Sequence, residues 1–282
     1  MTSSLGKSFQ ITTFGESHSK GLGVIIDGCP GGIPISLEKI QEALARRRPG
    51  QSKLTTSRKE SDTLECLSGL ENGKTLGTPI SFIIRNCNQR PKDYTTELRP
   101  SHADYTTTLK YGIRPSSGGG RASARETIGR VAAGSVAEQL LEHYCPHIRI
   151  TAWLDSVSSV QSQALSPESL TRESLGKNTL PCPDIEACKQ MIERIEQAKD
   201  EGDSLGGVIR CFITHPPAGL GEPVFEKLQA NMAKAVMSIP AAKAFEVGSG
   251  FQASLMTGST HNDPFIHKDN QSIVSHREVG KQ

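Results

Sequence analysis

A short run near the N-terminus, Thr13-Phe14-Gly15-Glu16-Ser17-His18-Ser19-Lys20, sets a carboxylate, a hydroxyl and an imidazole side by side. Gly15, Gly21 and Gly23 bracket it. Three consecutive polar groups cannot all point into a core, so Glu16, Ser17 and His18 are expected to line a loop or cleft. In isolation the run reads as an ordinary surface turn, because turn residues cluster for backbone reasons alone. The alternative is a binding loop in which the imidazole of His18, a group suited to titration near neutral pH, handles a proton.

Two cationic runs bear on that choice. Arg46-Arg47-Arg48-Pro49-Gly50-Gln51-Ser52-Lys53 is followed by Arg58-Lys59. Cations at a helix C-terminus complement the macrodipole and account for some of the arginines. The continuation into the Gly50–Lys53 loop suits recognition of phosphate or carboxylate by forked guanidinium groups, and both readings stand. The second run is denser: Arg99-Pro100-Ser101-His102-Ala103-Asp104 leads to Gly118-Gly119-Gly120-Arg121-Ala122-Ser123-Ala124-Arg125. Successive glycines let the backbone approach a ligand, and free N–H groups at a helix start, beside Arg121, Ser123 and Arg125, make an anion site. A flexible linker ending in an ordinary cap is the alternative. The GxxxxGK[ST] spacing of a P-loop is absent.

His102, like His18, lies neither on an apolar face nor in a metal-ligand spacing, so no metal is expected. Two loop histidines among arginines describe a site for an anionic substrate with two proton-transfer groups. An imidazolium there can protonate the oxygen of a departing phosphate. His143, His147, His215, His261, His267 and His276 lack such company.

Helices are expected to position these groups. One runs from Ser36, a candidate N-cap, to Arg48, with an apolar face at Leu37, Ile40 and Leu44. Others span Ala124–Tyr144 and Asp184–Lys199. A fourth opens near Pro223 and presents Phe225, Leu228, Met232 and Val236. Strand-like runs are Val24–Asp27, Ile80–Arg85, Ile148–Leu154, Val208–Thr214 and Ala244–Val247. Asp155–Pro183, rich in Ser, Gln and Pro, reads as a connector. Strand, Pro/Gly turn and helix recur around Gly23–Ile26 and Gly207–Arg210, which suggests a duplicated architecture; chance recurrence of a common unit is the alternative.

Composition narrows the class. The 282 residues are 35% hydrophobic and 22% charged with a net charge of +2, a globular balance that argues against a nucleic-acid partner. Aromatic residues at 5% leave little for base stacking. No run reaches the roughly 18 apolar residues of a membrane span, and no signal-peptide core is present. A cytoplasmic protein with no membrane partner is expected. Seven scattered cysteines without a CxxC signal neither zinc nor a disulfide framework.

Several of these strings together resemble the chorismate synthase family. The resemblance is carried by Gly15–His18 with Gly28 and Pro34, Arg46–Gly50 with Thr55-Thr56-Ser57-Arg58-Lys59-Glu60, Arg99–Asp104 and Gly118–Arg130. Gly202-Asp203-Ser204-Leu205-Gly206-Gly207, Pro217–Pro223 and Met237-Ser238-Ile239-Pro240-Ala241 add to it, and it extends to about Asp263. It implies an α+β fold, a β–α–β sandwich with internal pseudo-two-fold symmetry, assembled as a homotetramer. The implied reaction is the 1,4-anti elimination of phosphate from 5-enolpyruvylshikimate 3-phosphate to give chorismate. It requires reduced FMN without net redox change, with NADPH as a reductant.

By resemblance His18 protonates the departing phosphate and His102 the reduced flavin. Arg46, Arg47, Lys53 and Arg58, with Ser17, Arg125 and Arg130, match positions for substrate or NADP. Lys53 stands where an Arg is often found, so a bidentate contact becomes a point charge. Arg121, Ala122 and Ser123 match a flavin-contacting triplet, and Pro240-Ala241 a second flavin contact.

Family members also carry a Gly-rich flavin segment, a Lys-Pro-Thr-Ser-type contact and a Gly-Arg-His-Asp motif, none of which occurs here. The expectation is one C-terminally truncated domain: a first half over 1–154, a connector over 155–183, a second half over 184–264 and an unmatched tail over 265–282. Loss of a flavin wall would admit water and weaken electrostatic stabilisation. Two readings follow: an active chorismate synthase, or an inactive remnant that binds an anionic ligand but not FMN.

Overall fold

The computed structural model describes residues 3–50, 54, 58, 60–88, 98–113, 119–163, 166–268 and 271–274. The chain divides into two compact units, Met1–Pro216 and Pro217–Gln282. Helices pack with antiparallel sheets, an α+β arrangement.

The first unit begins with β1 (Ser4–Leu5), β2 (Gln10–Gly15), β3 (Gly21–Asp27), α1 (Leu37–Arg47), β4 (Leu64–Ser68), the small hairpin β5 (Leu70–Glu71) and β6 (Lys74–Thr75), and β7 (Ile80–Arg85). β1, β2, β3, β7 and β4 lie side by side in that order, each neighbour antiparallel. Alternation decides which face is covered: Leu22, Val24 and Ile26 of β3 and Ile80, Phe82 and Ile84 of β7 are almost fully buried, while Ile25 is exposed. After α2 (Asp104–Tyr111), α3 (Thr127–Tyr144) crosses that buried face. Ile128, Ala132 and Val136 of α3 join Ile40 and Leu44 of α1 and the strand residues in one core.

Local chemistry sets the helix ends. The Ser36 hydroxyl accepts from the Lys39 N–H and caps α1. Gln139 of α3 accepts from the Ser36 N–H at 2.7 Å and donates to its carbonyl, locking the two helices together. The helix expected from Ala124 starts as a 3-10 turn, Ala124–Glu126, and becomes α-helical only at Thr127. α2 went unread because its Thr-rich sequence, Asp104-Tyr105-Thr106-Thr107-Thr108, has weak helix propensity.

A second sheet of the same unit holds β8 (Arg149–Val157), β9 (Val160–Gln161) and, after α4 (Arg172–Leu175) and α5 (Ile185–Asp200), β10 (Gly207–Thr214). Its order is β10-β8-β9. Val157, Cys182, Ala187, Cys188 and Met191 form its core, with Trp153, Leu170, Leu175 and Phe212 beside it. The stretch read as a connector is therefore structural. Its apolar residues are too widely spaced among Ser and Pro to show a period, yet Leu170, Leu175 and Cys182 are buried.

The second unit contains α6 (Leu228–Met237), α7 (Gly258–His261) and the hairpin of β11 (Phe265–Lys268) and β12 (Gln271–Val274). Both helix and strand of each recurring unit form, but β3 is interior to its sheet and β10 lies at an edge. Two expectations fail here. α6 opens at Leu228 and not at Pro223, because Glu222 and Glu226 bridge in a turn that leaves Phe225 88% exposed. Ala244–Val247 forms no strand; it runs between left-handed backbone at Ala241 (φ 68°) and Gly248 (φ 64°).

Close packing of α3 on the sheet depends on Gly129, where a Cβ would lie 2.9 Å from both the Gly23 carbonyl oxygen and Thr13 Cγ2. Alanine would gain up to about 1 kcal/mol of helix propensity. Overpacking against a fixed sheet backbone costs about 1–3 kcal/mol, so the clash wins. Gly129→Ala is expected to lower the denaturant midpoint without changing the slope of the transition.

Candidate active site

The Glu16–Lys20 turn joins β2 to β3, and Ser19 closes it. The Ser19 hydroxyl accepts from the Glu16 N–H at 3.1 Å and reaches the carbonyls of Glu16 and Gly21. This winds the chain so that Ser17 is 2% exposed while Glu16 and His18 stay part-exposed. Ser17 Oγ is buried with no hydrogen-bond partner. From outside the turn, Arg58 Nη2 donates to the Ser17 carbonyl at 3.0 Å, and Asn86 Nδ2 donates to the carbonyls of Glu16 and Ser19.

Behind the turn sits a buried charge cluster. Arg125 Nη2 lies 3.0 Å from Asp62 Oδ1 and 3.7 Å from Glu60 Oε2, and its Nε donates to Asn86 Oδ1 at 2.7 Å. Arg58 forks onto Glu60 Oε1 at 2.9 and 2.7 Å. Arg47, in the last turn of α1, brings Nη2 within 3.4 Å of Asp62 Oδ2 and Nη1 within 3.5 Å of Thr127 Oγ1. The side chains of Glu60 and Asp62 are wholly buried and that of Arg125 is 5% exposed. Among the described residues, three guanidinium groups thus face two carboxylates, one more cation than anion. Arg47 Nε and Arg125 Nη1 are buried without a hydrogen-bond partner.

Electrostatics follow from this packing. Burial opposes ionisation of Glu60, but hydrogen bonds from the Cys87 N–H and Arg58, with the charge of Arg125, outweigh it and hold the carboxyl below its ordinary value. Burial pulls the Arg47 guanidinium down, against the pull of Asp62 and with the repulsion of Arg125 and Arg58. Asp62 adopts φ 49°, an uncommon conformation for a non-glycine residue.

The other expected residues distribute unevenly. Arg121 spends its guanidinium on the Gly15 carbonyl at 3.0 Å and on the carbonyl and hydroxyl of Thr13. Ala122 is exposed and Ser123 part-exposed, its hydroxyl accepting from the Arg125 N–H. Gly119, at the head of that turn, has Arg99 Nη2 3.5 Å from where its Cβ would stand. Arg99 in turn grips Asp104 in bidentate fashion at 2.9 and 3.0 Å. His102 lies on this loop, exposed, with Nδ1 2.9 Å from the Pro100 carbonyl. Arg130 pairs with Glu126 at 2.7 Å along α3 and supports the helix. Arg46 diverges from Arg47: its charged neighbours are Arg172, Glu138 and Glu42. Pro240 and Ala241 belong to the second unit, where Ala241 is left-handed. Lys53 lies outside the described residues.

Glu60, Asp62, Asn86 and Ser19 carry the site and were not singled out by the sequence reading. The available signal was alternation: Arg58, Glu60 and Asp62 recur at every second position before β4. Among the described residues, no group of three or more His, Cys, Asp or Glu is placed to hold a metal.

Residues 9–278 match the family model described as chorismate synthase. A chorismate synthase of Prochlorococcus marinus strain NATL1A is 55% identical over 97% of this chain and 76% of its own length. That of strain MIT 9215 is 53% identical over 95% of this chain and 74% of its own. The chain belongs to the chorismate synthase family. A crystal structure titled chorismate synthase superposes with a TM-score of 0.78 at 32% identity, covering 95% of this chain and 77% of that one. The matched region extends through most of the tail that the motif reading left unmatched.

Membership makes the protein an enzyme, a lyase of aromatic biosynthesis, and the inactive-remnant reading is not favoured. Ser17 Oγ, Arg47 Nε and Arg125 Nη1 are donors of the kind an acceptor-rich anion pairs, while Asp62 Oδ2 in the same cluster is a buried acceptor that also lacks a hydrogen-bond partner. At the Arg121–Ser123 turn the Arg121 guanidinium is already committed to the Gly15 and Thr13 oxygens, and only Ala122 is exposed.

The Glu60 shift gives a test with a defined sign. Its folded value is depressed, so its contribution is complete above the ordinary glutamate range and is lost as pH falls through the lower folded value. Glu60→Gln should cost about 3 kcal/mol at neutral pH, as breaking a buried pair does. It should also flatten the acid limb of denaturant midpoint against pH.

Proposed function

We propose that this protein eliminates phosphate from 5-enolpyruvylshikimate 3-phosphate to form chorismate, with the anion seated against Ser17, Arg47 and Arg125. One observation carries the reading: Ser17 Oγ, Arg47 Nε and Arg125 Nη1 are buried donors without a hydrogen-bond partner, in and beside a cluster with one more guanidinium than carboxylate among the described residues. A phosphate or carboxylate supplies the missing charge and acceptors together. Arg58 and Glu60 hold the turn and the cations in place, and Arg130 stiffens α3.

His18 then stands beside the anion site and is the group we assign to protonation of the departing phosphate oxygen. His102, on the exposed loop braced by Arg99 and Asp104, is assigned to hold a proton beside the flavin. Reduced FMN, when bound, supplies the electron density that the family's elimination borrows and returns. Arg121, Ala122 and Ser123 are the residues proposed to hold it, supported by their match to a flavin-contacting triplet. Support for NADPH as reductant, with Arg46 and Lys53 as contacts, comes from the resemblance of the Arg46–Lys53 run.

A homotetramer is the proposed assembly, supported by large exposed apolar residues such as Val208 and Ile209 on the edge strand β10. A cytoplasmic location is proposed from seven free cysteines. No helix among the described residues is long and apolar enough to cross a membrane.

Arg125→Lys keeps the charge but loses the fork. Calorimetric titration with 5-enolpyruvylshikimate 3-phosphate should show affinity falling on the order of tenfold to a hundredfold, as loss of charge-assisted hydrogen bonds does. His18→Ala should leave that affinity nearly intact while abolishing phosphate release. Unchanged affinity in Arg125→Lys would contradict the assignment.

A further inference from the structure

We propose that Asn86, directly after β7, is the positioning residue that sets the Ser17–His18 turn and the Arg125 guanidinium in one relative geometry. The role rests on the anionic-substrate reading above. Its side chain faces two ways at once. Nδ2 donates to the Glu16 carbonyl at 3.1 Å and the Ser19 carbonyl at 2.8 Å, on either side of Ser17 and His18. Oδ1 accepts from Arg125 Nε at 2.7 Å, with Arg58 Nη2 at 3.5 Å.

The partners settle which atom is oxygen, because a guanidinium has no acceptor and a carbonyl no donor. Among side chains of this size only a carboxamide offers two donors on one side and an acceptor on the other. Asp would set acceptors against two carbonyls, and Leu would offer nothing.

The main chain extends the same function. The Asn86 N–H donates to the Lys20 carbonyl at 3.1 Å, closing the far end of the turn. The next two N–H groups, of Cys87 and Asn88, donate to the Glu60 carboxylate at 2.9 and 3.2 Å. One three-residue segment therefore ties the turn, Glu60 and Arg125 to the end of a central strand.

The consequence concerns Arg125. With Nε held by Asn86 and Nη2 by Asp62, Nη1 is the atom left unpartnered. Asn86 thus selects which edge of the guanidinium is offered to an anion, while fixing the turn that offers Ser17 Oγ. Without it, the turn and the cation would move independently.

The test uses the full chain with Asn86→Ala and Asn86→Asp. In both, amide hydrogen exchange at residues 16–20 should accelerate on the order of tenfold, the loss expected for about one net hydrogen bond, while β8 and β10 keep their protection. Affinity for inorganic phosphate should fall about tenfold in Asn86→Ala, again as for one hydrogen bond, and further in Asn86→Asp, whose added charge cancels the excess cation. Asn86→Ala combined with Ser17→Ala should be non-additive in phosphate affinity.

Unchanged exchange at 16–20 overturns the proposal. Faster exchange with unchanged phosphate affinity and additive effects also overturns it, because Asn86 would then be structural only. A wild-type protein that binds neither phosphate nor substrate overturns the anion-site reading, and the exchange data alone then decide whether Asn86 sets the turn.

Discussion

Arg47, Arg58 and Arg125 are largely withdrawn from water and face, among the described residues, the two carboxylates of Glu60 and Asp62, and the Glu16–Lys20 turn and the start of α3 hang on that cluster. Removing an ion from water costs several kcal/mol even after relaxation, and a buried pair rarely returns more than it loses. Each unpaired buried donor adds about 1–3 kcal/mol. Such a cluster does not serve stability. It persists because the core of β3, β7, α1 and α3 fixes the surrounding backbone, and under the proposed function its unsatisfied groups are what an anion would pair. The uncommon backbone at Asp62 fits the same pattern of local cost at a working site.

The scaffold places each member from a rigid element. Arg47 projects from the last turn of α1, Arg125 from the turn that opens α3, and Asn86 from the end of β7. Gly129 lets α3 approach β2 and β3, and Gln139 binds α3 to the cap of α1. Arg121 completes the frame by gripping the end of β2 at Thr13 and Gly15. Arg121 thus holds the strand end from which the Glu16–Lys20 turn departs.

Much of this was legible in the residues. Ser36 as a cap, Ile40 and Leu44 on the inner face of α1, and the alternation of β3 and β7 follow from period and cap chemistry, which depend on neighbours in sequence, whereas Leu37, expected on the same face, is exposed. The family resemblance, carried by runs of arginines, serines and glycines, was legible too, and the comparisons bear it out. Partners distant in sequence were not legible: Asp62 with Arg125, or Asn86 with Glu16, meet only through sheet register. The divergence of Arg46 from Arg47 was hidden for a related reason, since adjacent helical residues face different directions. α6 was misplaced because a Pro/Gly-rich turn before it suggested an earlier start, and the buried residues of 155–183 lacked any period.

The most direct test of the account is thermal unfolding at constant ionic strength with rising inorganic phosphate, comparing wild type with Arg47→Met. That substitution removes the excess charge and leaves Arg125 and Arg58 to pair Asp62 and Glu60. A specific anion site predicts a midpoint that climbs with phosphate in the wild type and stays flat in the variant. Equal stabilisation of both proteins would show that the excess guanidinium does not bind the anion, and the central claim would fall.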